Sequence, residues 1–365
     1  MELYPALIID ALRTVRYPGT GKNVVEMGMV GEDIRIAGLH VSLSLVFDKP
    51  TDPFQRSLLK ACEAAVHAYV SRDVEVEIKA VSRKESVEQA PLLPGVRNII
   101  AVSSGKGGVG KSTVAANLAV ALAGMGLKVG LLDCDISGPS VPKLLNIEDA
   151  RPYSENIDGR DLIVPVEKFG VKTLSIGFFV DPQQPTLWRG GMASNALRQM
   201  IGDAAWGELD YLVLDTPPGT SDIHLTLVQT IPLTGAIIVS TPQEVALADA
   251  RKGINMYRDE KVAVPILGLV ENMAWFTPEE HPDERYFIFG DGGVSRLAQQ
   301  LGVPLLGQIP LVGSLCQDSD NGNPPALQPS EPMGHAFMEL AARVVTATDR
   351  RNLEQEATKV VRVTK

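Results

Sequence analysis

Cysteine is scarce in this 365-residue chain: Cys62, Cys134 and Cys316 are its three, widely spaced and without a C-x-x-C pair. That excludes a disulfide framework and fits a reducing compartment. Aromatic residues make up 5%, and with 45% hydrophobic and 21% charged residues the composition is globular rather than disordered, collagen-like or coiled-coil. Positive charge is in deficit, 34 Lys and Arg against 44 Asp and Glu, so the net charge of -10 argues against a general affinity for nucleic acid or an anionic membrane. Long apolar runs are missing too. The longest uncharged stretch, residues 223–243, is broken by Pro232, Gly235 and Pro242, and no transmembrane helix is expected. No basic stretch precedes an apolar one near the start, so no secretory signal is visible and a cytoplasmic location is expected.

What is present divides the chain. Residues 81–95, VSRKESVEQAPLLPG, are polar and charged and contain two prolines, which is how a linker reads. The expected organisation is a small α+β domain over 1–82, a linker over 83–95, a larger domain over 96–350 and a tail over 351–365. In the first part, Leu7, Ile8, Ala11, Leu12 and Val15 have helical spacing, as do Leu58, Cys62, Ala65, Val66 and Tyr69. Val41, Leu43, Leu45 and Phe47 alternate as a strand, and so do Val74, Val76, Ile78 and Ala80. After the linker, short fully apolar runs at 99–103, 129–132, 211–214, 236–239, 266–270 and 305–309 alternate with helical stretches. This pattern predicts a doubly wound α/β domain with a mostly parallel sheet, whose ligands bind at the carboxyl ends of its strands.

Directly after the first of those runs comes Gly105-Lys106-Gly107-Gly108-Val109-Gly110-Lys111-Ser112-Thr113, then a helical pattern. Gly105, Gly107 and Gly110 satisfy a dinucleotide fingerprint, with Asp133 as the ribose acid, but Gly105, Gly110, Lys111 and Ser112 satisfy a P-loop, and a dinucleotide site needs neither the lysine nor the hydroxyl. The P-loop reading prevails. Its glycines let backbone N–H groups face phosphate oxygens, the helix dipole adds positive potential, Lys111 neutralises β and γ charge, and Ser112 is the expected magnesium ligand. Asp215 ends the apolar run 211–214 and reads as the acid that holds the metal through water. Asp133 and Asp135 flank Cys134 after another run, and one of them is expected to orient the attacking water.

The lysine after the first loop glycine is an extra feature, and GKGGVGKST resembles the deviant Walker A of the MinD/ParA/ArsA/nitrogenase iron protein superfamily. DCDISGPSVPKLL at 133–145, LWRGGMASNAL at 187–197, WGELDYLVLDTPPGTSDIHLTL at 206–227 and GLVENMAWF at 268–276 narrow the likeness to the Mrp/ApbC family of iron-sulfur cluster carrier ATPases. The first 80 or so residues are similar to the SufT-like accessory domain that often precedes that ATPase. The resemblance implies a magnesium-dependent ATPase that works as a homodimer and serves iron-sulfur apoproteins. It makes Lys106 a lysine that reaches the partner subunit's nucleotide, Lys111 and Ser112 the Walker A pair, Asp135 the switch I acid near the attacking water and Asp215 the switch II acid. It places Asn272 against adenine, with the segment around Pro310 as the other wall of the base pocket.

One departure bears on the cargo. Family members that carry a cluster have a C-x-x-C just after the asparagine-containing strand, two such pairs across the dimer giving four thiolates. The corresponding stretch here, residues 275–284, contains no cysteine. Cys316 and His281 are the remaining candidates for cluster ligands. If no cluster binds, the resemblance implies an ATP-gated adaptor in the same pathway. The other class of function is a MinD- or ParA-like positioning ATPase without a metal cluster, for which the tail's Lys359, Arg362 and Lys365 offer a surface-binding tip.

Overall fold

A computed structural model of the chain describes residues 4–31, 34–47, 52–71, 73–82, 92–136, 138–179, 190–278, 280–281, 284–313 and 321–360. It divides into two compact units, Met1–Ala90 and Pro91–Lys365.

In the first unit, helix α1 (Pro5–Leu12) begins with proline at its first position, where the missing N–H has no intrahelical partner to lose. A three-stranded sheet follows in the order β1 (Arg35–Ala37), β2 (His40–Phe47), β3 (Glu75–Ser82). Strands β2 and β3 are parallel, so the chain must cross over between them, and helix α2 (Gln55–Tyr69) makes that crossover. Val41, Leu43, Leu45 and Phe47 point to one face of β2 and pack with Ile8, Leu12, Leu58, Cys62 and Val66 in a single core.

The second unit is built on an eight-stranded sheet. Its strands are β4 (Val96–Ser104), β5 (Val129–Asp133), β8 (Val166–Lys168), β9 (Val171–Ser175), β10 (Leu209–Asp215), β11 (Gly235–Ser240), β12 (Ile266–Phe276) and β13 (Leu305–Leu311). Their order is β13-β12-β11-β4-β10-β5-β9-β8, and all neighbours run parallel except β8, which pairs antiparallel with β9 at one edge. The chain leaves β4 towards β5 on one side and later returns to β11 on the other, so β4 flanks the switch point at which such folds bind ligands. A separate hairpin, β6 (Tyr153–Ile157) and β7 (Arg160–Val164), lies outside this sheet and turns through Asp158 and Gly159, both at positive φ.

Both faces of the large sheet are covered, which explains why its strands read as continuous apolar runs. Ile100, Val102, Tyr211 and Val213 face helices α3 (Lys111–Gly124), the short α4 (Val141–Leu144) and α9 (Pro332–Glu354), where Leu118, Leu122, Val141, Phe337 and Val344 are buried. Ile99, Ala101, Leu212 and Leu214 face the opposite layer of α5 (Gly190–Gly202), α6 (Asp222–Thr230), α7 (Glu244–Arg258) and α8 (Gly293–Leu301). Helix α3 is buried along most of its length, and this fixes the helix whose first turn carries Lys111 and Ser112. Among the described residues no helix is long and apolar enough to cross a membrane.

Candidate functional site at the phosphate-binding loop

The loop joins the carboxyl end of β4 to the amino end of α3, which starts at Lys111 after Gly110 in the left-handed conformation. Two glycines have a steric reason to be there. A Cβ on Gly105 would lie 2.1 Å from the backbone of Asp249 in α7, and one on Gly110, where φ is +78°, would lie 2.2 Å from Nδ2 of Asn272. Gly107 and Gly108 are exposed, and a Cβ on either would meet nothing within 4 Å, so the crest of the loop lies open. Val109 is buried and anchors it, while Thr113 lies half-buried in the first turn of α3.

Lys111 is 6% exposed and its ammonium donates to Ser112 Oγ at 3.1 Å and to Asp215 Oδ1 at 2.5 Å. Asp215 is fully buried, and its second oxygen, Oδ2, has no hydrogen-bond partner among the described residues. Parallel pairing sets Asp133 beside Asp215 in the register of β5 and β10. Asp133 accepts from Ser175 Oγ at 3.0 Å and from the amides of Asp135 and Val141 at 3.1 and 3.3 Å. Burial, then the neighbouring Asp215 charge, raises the pKa of Asp133; burial also raises that of Asp215, opposed by Lys111. Asp135 follows β5, half-buried at the same end of the sheet. A buried carboxylate oxygen without a partner and a nearby hydroxyl suit a hard, oxygen-seeking divalent cation at Asp215 and Ser112.

Lys106 is half-buried, and its ammonium forms no ion pair with a described residue. Its own carbonyl accepts from Ser104 Oγ at 3.0 Å, which steadies the loop backbone beneath it. Asn272, 4% exposed on β12, donates from Nδ2 to the carbonyl of Val109 at 2.8 Å, so this side chain ties the loop to the next strand but one. Pro310 is half-buried on β13, an edge strand, where the lack of an N–H is tolerated.

Three supporting residues were not singled out by sequence reasoning. Glu271 is fully buried; Oε2 accepts the amide of Val294 at the start of α8, and Oε1 accepts Gln308 Nε2, each at 2.7 Å. Its signal was a charged residue inside an apolar strand. His224 is buried on α6 and lies 3.3 Å from Ser103 Oγ, while the Ser221 amide donates to its Nδ1 at 3.2 Å. Burial lowers its pKa to about 4, with the Lys111 charge adding, so the ring is neutral near pH 7 and Nε2 carries the proton towards Ser103. Ser175, which holds Asp133, sits at the end of a strand that the apolar runs did not reveal.

In the stretch after Asn272, Phe276 and Tyr286 form an isolated antiparallel bridge. Phe276 and Tyr286 exchange backbone hydrogen bonds at 2.8 Å, Arg285 lies over the Trp275 ring at 4.2 Å, and His281 sits 3.6 Å from Glu284 at the surface. Of the cysteines, Cys62 and Cys134 are buried, burial pushing both thiols up, and Cys316 lies outside the described residues. Among the described residues no three His, Cys, Asp or Glu side chains form a metal-binding group.

A glycine-rich loop between the central strand of a doubly wound parallel sheet and a buried helix, with a lysine bridging the helix hydroxyl and a strand-end acid, defines a P-loop nucleotide-binding protein. Comparison with known proteins agrees: residues 95–345 match the NUBPL iron-transfer P-loop NTPases, and the chain belongs to that family. Residues 6–78 match a second family, described as iron-sulfur cluster assembly protein. An iron-sulfur cluster carrier protein of Synechocystis sp. is 43% identical over 92% of this chain and 96% of its own length. One from Escherichia coli is 50% identical over 72% of this chain and 70% of its own. Among solved structures, a nucleotide-binding protein from Archaeoglobus fulgidus in complex with ADP is 40% identical, with a TM-score of 0.57 over 67% of this chain and 93% of that one.

Proposed function

We propose that the chain is a magnesium-dependent ATPase that carries iron-sulfur clusters, or assembles them, for apoproteins, and that it works as a homodimer in the cytoplasm. The observation that carries this reading is the near end-to-end likeness to an iron-sulfur cluster carrier protein, spanning both units of the chain, together with the Lys111–Ser112–Asp215 arrangement at the loop. In this reading the amides of Gly105 to Thr113 bind the phosphates of ATP, and Lys111 exchanges part of its contact with Asp215 for the β and γ oxygens. Ser112 and Asp215 hold magnesium, which when bound neutralises charge developing between the β- and γ-phosphates. Asp135 orients the attacking water. Lys106, with no ion pair to a described residue, supplies its charge to the partner subunit's nucleotide. Asn272 keeps Nδ2 on Val109 and presents its carbonyl oxygen to the adenine amino group, with Pro310 on the other side of the base.

The cargo cluster needs thiolates, and with Cys62 and Cys134 buried, Cys316 is the cysteine assigned to it, one from each subunit, with His281 as a nitrogen ligand. The lack of a C-x-x-C after β12 favours a second form of the same reading, an ATP-gated adaptor that passes clusters between partners without holding one. Anaerobic reconstitution with iron and sulfide, counting both per dimer, separates the two. A stoichiometric cluster that is lost in Cys316→Ala supports the carrier. No cluster with sustained magnesium-ATP hydrolysis supports the adaptor, and neither cluster nor hydrolysis overturns the proposal.

A further inference from the structure

A cavity lies at the other end of β4 from the nucleotide loop. Val96, Ile99 and Pro232 give it apolar wall, Thr234 adds a hydroxyl, and Arg97 and Arg351 also line it; its volume is about 310 Å³. Ile99 precedes Gly105 by roughly 20 Å of extended strand, so this cavity is separate from the P-loop.

Arg351 is the unusual member. It is 8% exposed near the end of α9, and its guanidinium donates to Asn352 Oδ1 at 3.1 Å, to the Glu356 carbonyl at 2.8 Å and to Thr358 Oγ1 at 2.6 Å. All three acceptors are neutral. Its Nε is closed off from solvent and has no partner among the described residues, and no described carboxylate pairs with the guanidinium. A cation at a helix carboxyl end gains from the helix dipole, but that does not satisfy an orphaned donor or replace a counter-charge at a buried site. Burial lowers its pKa, as expected of a charge without compensation. Arg97 is largely exposed and is paired with Asp210 at 3.4 Å, and among the described residues no carboxylate lines the cavity.

We propose that this cavity binds a small organic carboxylate, its anionic end against the Arg351 guanidinium and its hydrocarbon part against Val96, Ile99 and Pro232. The volume is at the lower end of small-molecule sites, and walls that are half apolar suit a short carboxylate better than an inorganic oxyanion, which needs donors all round. Arg97 at the rim offsets the Asp210 carboxylate it is paired with, so the approach to Arg351 is not net negative. This inference does not depend on the cargo or on hydrolysis.

The test is calorimetric titration of the full chain with butyrate and, in a parallel arm, with inorganic phosphate, ADP being present throughout to cover the P-loop. The expected result is saturable butyrate binding with Kd of about 1 mM or tighter, and weaker or no binding of phosphate. Arg351→Met should weaken butyrate at least about tenfold, and Arg97→Ala by a few-fold at low salt, with ADP affinity unchanged in both. If Arg351→Met does not fold, Arg97→Ala decides, because its side chain is exposed. No saturable butyrate binding, tighter binding of phosphate than of butyrate, or butyrate affinity unchanged in the variants that fold would each overturn the proposal.

Discussion

Replacing Lys111 with methionine separates the structural role of this lysine from its chemical one. Its ammonium is the cation paired with Asp215, which is fully buried and stands beside the equally buried Asp133. Methionine keeps the length and apolar bulk of the stem but leaves Asp215 without a counter-charge. Breaking a buried pair by removing one partner costs about 3–5 kcal/mol, and in a domain of this size that corresponds to a fall of roughly 10 °C in Tm. The sign of the pH dependence follows. In the variant, Asp215 loses the interaction that opposes its burial, so its folded pKa rises further above the unfolded value. The penalty is therefore fully present above the raised folded pKa, shrinks as pH falls through it, and is gone below the unfolded value near 4. Thermal unfolding of the full chain without nucleotide, at pH 8 and pH 5, measures this directly. The double variant Lys111→Met, Asp215→Asn should regain most of the lost stability, since no buried charge is stranded. A Lys111→Met protein that unfolds within about 2 °C of the unaltered chain at pH 8 would refute the reasoning.

Lys106 provides the contrast. Lys106→Ala should leave Tm nearly unchanged, because the ammonium has no described ion-pair partner, yet lower steady-state ATP turnover by about a hundred-fold or more; equal loss of stability and turnover would argue against a role on the partner's nucleotide. Asn272→Leu removes the tie to Val109, and nucleotide affinity measured by fluorescence titration should fall by about tenfold, with discrimination between ATP and GTP reduced. His224, held at about pKa 4 by burial, contributes stability that is present above its unfolded value near 6.5 and is lost as pH falls towards 4, about 3 kcal/mol in all. A His224→Gln variant should lack that component, seen as a flatter Tm against pH between 6.5 and 4.

The chemistry was more legible in the sequence than its support. The loop and its lysines follow local spacing, and the strand-end acids follow apolar runs that only a sheet covered on both faces produces. The edge was harder to read. Strands β8 and β9 are short, and the edge strand β8 is not apolar throughout, so they lack the run that marks β4, although the Phe169-Gly170 turn between them, at positive φ in both residues, was a hairpin signal. The β6–β7 hairpin carries an Asp-Gly turn signal, but its flanks, largely polar and exposed, lack the apolar alternation that marks a strand. Strand β12 runs on to Phe276, beyond the apolar run, because Phe276 is paired with Leu311 of β13 and bridged to Tyr286, contacts that periodicity does not encode. Glu271 and Ser175 escaped for the same reason: their partners come from other elements, and only the assembled sheet brings them together.

The central claim is that nucleotide turnover at the loop gates delivery of iron-sulfur clusters. The most direct measurement is anaerobic recovery of activity by an iron-sulfur apoenzyme supplied with iron, sulfide and the full chain, with and without magnesium-ATP. Faster recovery that requires ATP and disappears with Lys111→Ala is the predicted result, and recovery that is the same with or without ATP, or with the Lys111→Ala protein, would contradict the account.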